Sequence, residues 1–173
     1  MADNKGVNMD NKELNPFSDG ADHINIYSKA RTKLGQRLSN FDHSPFEHTK
    51  YGHFESVEGF WYWLATEKKH EILRNLYGID AKKKGQEIVD EFGERALFDA
   101  QDIEDILESI RCKLRQNKDI LKMLIDSDLP FEHYYCWYAK DNSSYKIEIL
   151  SEYYWVVDEI ERIRKVCKEK YSK

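Results

Sequence analysis

From Val57 to the C-terminus the apolar residues recur at helical spacing in five stretches, and one aromatic segment, Phe131 to Tyr138, breaks that period. Apolar side chains three and four residues apart share one helix face, so such stretches must bury their faces against each other. The first runs from Val57 to about Leu76, with Phe60, Trp61, Leu64, Ile72, Leu73 and Leu76 in phase and Ser56 placed as its N-cap. Gly78 is expected to end it and Asp80 to open a second helix over 81–92. A short turn is expected at 96–100. Helices then follow at 102–114, on Ile103, Ile106, Leu107, Ile110 and Leu114, at 118–125, and at about 151–170. The segment FEHYYCWY has the aromatic content of a strand, and 145–150 reads as a second strand or the lead into the last helix.

The N-terminal part is different. Met1 to Asp22 is rich in Asn, Asp, Lys and Gly without apolar periodicity, and is expected to be a flexible tail. Ile24 and Ile26 alternate as in a half-buried strand, whereas Ser28 to Phe46 has the Gly, Ser, Asn, Asp and Pro content of irregular chain. The expected fold is therefore α+β: a mainly helical domain over 23–173 with a small β-sheet, preceded by a tail over 1–22. A chain of 173 residues suits one domain of this kind.

Charge and cysteine content narrow the function. With 32 acidic against 27 basic side chains, the net charge of -5 argues against non-specific coating of DNA, which needs a large positive field. Cys112, Cys136 and Cys167 form no CxxC pair, so neither a zinc ribbon nor a disulfide framework is indicated. His43, His48 and His53, spaced by five, line up on neither a helix nor a strand, and no metal or other cofactor is expected. The start has no apolar core of a secretory signal, and no run reaches the roughly 18 apolar residues of a membrane span. The expected setting is the cytoplasm. P-loop, G-x-S-x-G and G-x-G-x-x-G patterns are absent.

What carries functional information is an ordered series: Ile24-Asn25-Ile26-Tyr27-Ser28, Leu38-Ser39-Asn40-Phe41, Ser44-Pro45-Phe46, Gly52-His53-Phe54-Glu55-Ser56-Val57-Glu58 and Ala81-Lys82-Lys83-Lys84-Gly85-Gln86. In that order and spacing it resembles the NADAR family, the YbiA-like N-glycosidases, over about half of the ordered chain. The resemblance implies a compact helix-rich α+β fold and cleavage of the bond between a ribosyl C1 and a base nitrogen. The substrate it implies is ADP-ribose or a related ribosyl nucleotide, with removal of ADP-ribose from guanine in a nucleotide, DNA or RNA as the leading reaction. A viral member would serve counter-defence in the host cytoplasm.

The chemistry assigns roles within that frame. Loss of an N-glycosidic bond builds positive charge on ribose and negative charge on the leaving nitrogen, and a carboxyl group can answer either. Glu58 is the matching carboxyl, with Lys69 or Lys82 as the nucleophilic lysine. Ser39, Asn40 and Phe41 would contact ribose or base. Trp61, Tyr62 and Trp137 would stack on it, and Arg37 and Lys83 would hold phosphate. The chain also departs from the family: its Glu-His pair is Glu58-Gly59 here, its helix lysine is replaced by Ala65, and the arginine of A-x-x-x-G-R is Gln86. These departures support a second reading, a catalytically inactive nucleotide-binding module or a protein–protein inhibitor on the same fold.

Overall fold

In the computed structural model, which describes residues 14–93 and 99–171, helices dominate and the strands occur in short pairs. The strands are β1 (Ile24–Asn25), β2 (Phe46–His48), β3 (Gly52–Phe54), β4 (Phe131–Glu132), β5 (Tyr134–Tyr138) and β6 (Tyr145–Ile149). The helices are α1 (Lys33–Leu38), α2 (Val57–Ala65), α3 (Gly78–Phe92), α4 (Ala100–Gln116), α5 (Lys118–Ile125) and α6 (Tyr154–Tyr171). The α+β class is as expected; the single small sheet is instead three two-stranded pieces, β1–β4 parallel, β2–β3 antiparallel and β5–β6 antiparallel.

Four expectations are corrected. The tail is shorter than 22 residues, because Pro16–Ser18 forms a 3-10 turn and buried Asp19 accepts hydrogen bonds from the amides of Asn25 and Arg31 at 3.0 and 2.7 Å. Residues 1–13 lie outside the described residues, as does most of the turn expected at 96–100. Ile24, Asn25 and Ile26 are all buried, so β1 does not alternate: the Asn25 side chain satisfies itself on the backbone N–H and C=O of Tyr134 at 3.1 and 3.0 Å. Helix α1 lies inside the stretch expected to be irregular, capped by Thr32, whose hydroxyl accepts from the Gly35 amide at 3.0 Å.

The fourth correction concerns the first long helix, which stops at Ala65 rather than Leu76. Glu67 and Lys68 take positive φ values of 58° and 61°, which ends the helical ladder. A 3-10 turn over Glu71–Asn75 then folds back on α2 and buries Leu73. Gly78, expected to end a helix, begins α3 with φ at 55°.

The core gathers around α2 and α4. Phe60 packs edge-on against Phe54 at 5.0 Å and stacks on His48 at 4.9 Å, and Trp63 meets Phe54 at 5.2 Å. Ile106, Ile110 and Leu114 bury one face of α4 on this cluster, with Leu124 of α5 and Ile160 of α6 beside it. An ionic group is embedded here too. Lys113 is only 2% exposed and donates to the Ser39 carbonyl at 2.8 Å. Burial lowers its pKa to about 8, with Arg37 adding to the shift and Asp42 opposing it.

That ammonium gives a test of the fold. The unfolded chain holds the Lys113 proton more tightly than the folded one, so its burial weighs against folding below about pH 8 and is relieved as pH rises towards 10.5. Relative to Lys113→Met, the wild-type protein should gain about 3 kcal/mol of stability between pH 7 and pH 10.5 in urea titrations. Parallel pH curves for the two proteins would contradict the buried charge.

Candidate active site

Helix α2 begins where the loop after α1 crosses it. The Ser56 hydroxyl caps the helix through the Gly59 amide at 3.0 Å and itself donates to the Leu76 carbonyl at 2.8 Å. The Glu58 amide, one of the four a helix start leaves without an internal partner, donates to the Asn40 carbonyl at 2.9 Å. This bond ties Leu38-Ser39-Asn40-Phe41 to the first turn of α2 and places Asn40 beside Glu58. Two pieces of the ordered series, Leu38-Ser39-Asn40-Phe41 and the segment ending at Glu58, thus meet in space.

The Glu58 carboxyl is half-buried and has no hydrogen-bond partner among the described residues. Burial raises its pKa to about 7, and the positive charge of Lys82 opposes that rise. Lys82, early in α3, lies 5.8 Å from the Phe41 ring centroid. On the other side stands Tyr135 of β5, whose hydroxyl is pushed up chiefly by burial and then by the charge of Glu58. Tyr135 packs 5.3 Å from Tyr27, 6.2 Å from Trp137 and 6.5 Å from His133. One helical turn along α2, Trp61 meets Tyr153 edge-on at 5.6 Å and stacks on Trp155 at 6.0 Å. A carboxyl at the start of a helix is therefore flanked by Tyr135 of β5, with the Trp61 cluster one helical turn further along.

The structure brings Glu58, Asn40, Phe41, Lys82 and Trp61 together, with Trp137, 48% exposed, at the outer end of the aromatic row. Other sequence-based assignments fall elsewhere. Lys69 lies beyond the C-terminal end of α2, exposed and paired with Glu67, while the axial rise from Glu58 to Ala65 alone is about 10 Å. Ala65, where the resemblance implies a lysine, is buried in the core. Arg37 is bound to Asp42 at 2.7 Å and Asp119 at 2.6 Å, so its guanidinium bridges α1 and α5 rather than awaiting phosphate. The Tyr62 ring covers Gly85 and joins α2 to α3. Lys83 is exposed on α3.

Ser39 is buried as the C-cap of α1, and its hydroxyl has no partner among the described residues. An unsatisfied buried hydroxyl costs about 1–3 kcal/mol, so Ser39→Ala should leave stability unchanged or raise it by about 1 kcal/mol in thermal unfolding. A loss of more than that would show that the hydroxyl is engaged.

Sequence reasoning named Phe131 to Tyr138 as an aromatic strand but singled out only Trp137 from it. The alternation of His133, Tyr135 and Trp137 was the available signal, since odd positions of one strand share a face. His133 joins the site through its ring: Nδ1 donates to the Ile26 carbonyl at 2.7 Å, and burial lowers the pKa of the imidazole. Among the described residues no three His, Cys, Asp or Glu side chains are placed to share a metal ion, and no helix is long and apolar enough to cross a membrane. No family model, no curated protein and no solved structure matches this chain.

Proposed function

We propose that the protein is an N-glycosidase that cleaves a ribosyl–base bond, with removal of ADP-ribose from a guanine base as the leading reaction. The observation that carries this reading is the Glu58 carboxyl, unpartnered and held near neutrality among aromatic rings. A carboxyl with a pKa of about 7 still carries its proton in a large fraction of molecules at neutral pH. Glu58 would donate that proton to the leaving nitrogen as the bond to C1 lengthens, while water takes the vacated position on C1. The Asn40 side-chain amide supplies hydrogen bonds to hydroxyls or base edges, and Trp61, Tyr135 and Trp137 offer faces for the base. Lys82, whose positive charge acts on Glu58, supports this reading as a cation beside the carboxyl, and water rather than a lysine is the nucleophile.

The pH dependence of ADP-ribose release from an oligonucleotide carrying ADP-ribosylated guanine tests this mechanism. Turnover should fall as pH rises through about 7, because the acid form of Glu58 is lost. A rate that stays level from pH 6 to pH 8.5 would remove Glu58 as the proton donor.

A second reading rests on Ala65. With that position buried and no lysine on α2, the same residues around Glu58 would bind an ADP-ribosyl or related nucleotide without turning it over. Stoichiometric binding with intact ligand recovered afterwards would distinguish it.

A further inference from the structure

Tyr134, Cys136 and Tyr138 face the opposite side of β5 from Tyr135 and Trp137, and there they wall a cavity of about 160 Å³ completed by Tyr27, Lys29 and Arg31. The hydrogen-bond acceptors around this cavity are engaged. Both Asp19 carboxylate oxygens accept backbone amides, from Asn25 and Arg31. The Asn25 side chain is closed on the Tyr134 backbone, and the Tyr134 hydroxyl meets His23 Nε2 at 2.7 Å. What remains is cationic. The Arg31 guanidinium lies 6.0 Å from the Phe17 ring centroid and near enough to the Tyr138 hydroxyl to oppose the rise in its pKa, and Lys29 has no partner among the described residues. Neither cation has a carboxylate partner among the described residues.

Two unpaired cations against one engaged carboxylate make this cavity locally positive in a chain of net charge -5. Its volume matches about five water molecules at roughly 30 Å³ each, which admits a phosphoryl-sized anion and excludes a whole nucleotide. We propose that the cavity is an anion site for the phosphoryl group of a small molecule, held by Arg31 and Lys29. The guanidinium offers a planar fork of donors matched to phosphate oxygens, and the ammonium adds a second charge at the rim. The Tyr27 hydroxyl, kept protonated by burial, is a further donor. The Asp19 bond to the Arg31 amide fixes the backbone from which the guanidinium extends.

The test is calorimetric titration of the full chain with inorganic pyrophosphate. Saturable binding should weaken at least tenfold in Arg31→Gln, less in Lys29→Gln, and should fall with added sodium chloride. Arg31→Gln keeps the backbone amide that Asp19 holds, and an unchanged thermal midpoint would show that the loop has survived. Glu58→Gln should bind pyrophosphate like the wild type, so this result is independent of whether Glu58 cleaves anything. Absence of saturable binding at millimolar pyrophosphate, or binding that Arg31→Gln retains in full, would overturn the proposal. So would Arg31-dependent binding of an oligothymidylate without pyrophosphate binding, because the anion site would then belong to a nucleic-acid track.

Discussion

Glu58→Gln should lower turnover of a ribosyl–base substrate at least 100-fold at pH 6.5 while making the protein more stable in alkali. The first effect follows from losing a positioned proton donor, a contribution of typically 10²- to 10⁴-fold. The second follows from the raised pKa of about 7. Here the folded state holds the proton more tightly than the unfolded chain, the reverse of a salt-bridged carboxylate. Stability from this group is therefore greatest below about pH 4.5 and declines as pH rises through 7. By pH 8 the buried carboxylate weighs against folding by up to about 3 kcal/mol, which glutamine removes. The two proteins should melt together near pH 4.5, and the variant should melt roughly 6–10 °C higher at pH 8. Equal melting temperatures at both pH values would mean that Glu58 ionises as an ordinary surface carboxyl.

A histidine at position 59, after Glu58, should unfold the protein. A side chain at position 59 would enter the space of the Leu73 carbonyl oxygen and come within 3.0 Å of the Leu76 carbonyl oxygen, because the 3-10 turn over Glu71–Asn75 lies directly on α2 there. Both neighbours are backbone, so neither can swing aside. Gly59→Ala alone should cost about 3 kcal/mol, the upper part of the usual overpacking range, and Gly59→His should leave little folded protein at 37 °C. Urea titration of Gly59→Ala measures this directly, and a cost under about 1 kcal/mol would contradict the close approach. Gly59 is thus accounted for by packing: the segment after α2 lies directly against it.

The same fold-back marks where the sequence misled. Ile72, Leu73 and Leu76 continue the helical phase of Phe60, Trp61 and Leu64, so spacing alone extends α2 to residue 76. The break depends on left-handed backbone at Glu67 and Lys68, residues that local propensity does not place there. Helices α4 and α5 were legible because their apolar stripes are uninterrupted; Asp99, whose side chain accepts from the Asp102 amide at 2.8 Å, caps α4, which starts two residues before the expected 102. Helix α1 was hidden by its Gly35, which is required because a Cβ there would collide with the Asn25 carbonyl oxygen.

For the candidate site, Asn40, Phe41, Glu58 and Lys82 could be read from the ordered motif. Their meeting with Tyr27 and Tyr135 could not. It depends on the parallel pairing of Ile24 with Phe131 and Asn25 with Glu132, a contact across more than a hundred residues that no local pattern encodes. Arg37 illustrates the opposite error. Its place before Leu38-Ser39-Asn40-Phe41 suggested phosphate, yet Asp119 of α5, distant in sequence, occupies the guanidinium.

The most direct test is the intact mass of an oligonucleotide bearing ADP-ribosylated guanine, followed over time with the wild-type protein and with Glu58→Gln at pH 6.5. The wild type should convert it to the unmodified oligonucleotide with release of ADP-ribose, and the variant should leave the mass unchanged over the same period. Persistence of the modified mass with the wild type, or equal release by both proteins, would contradict a Glu58-dependent N-glycosidase.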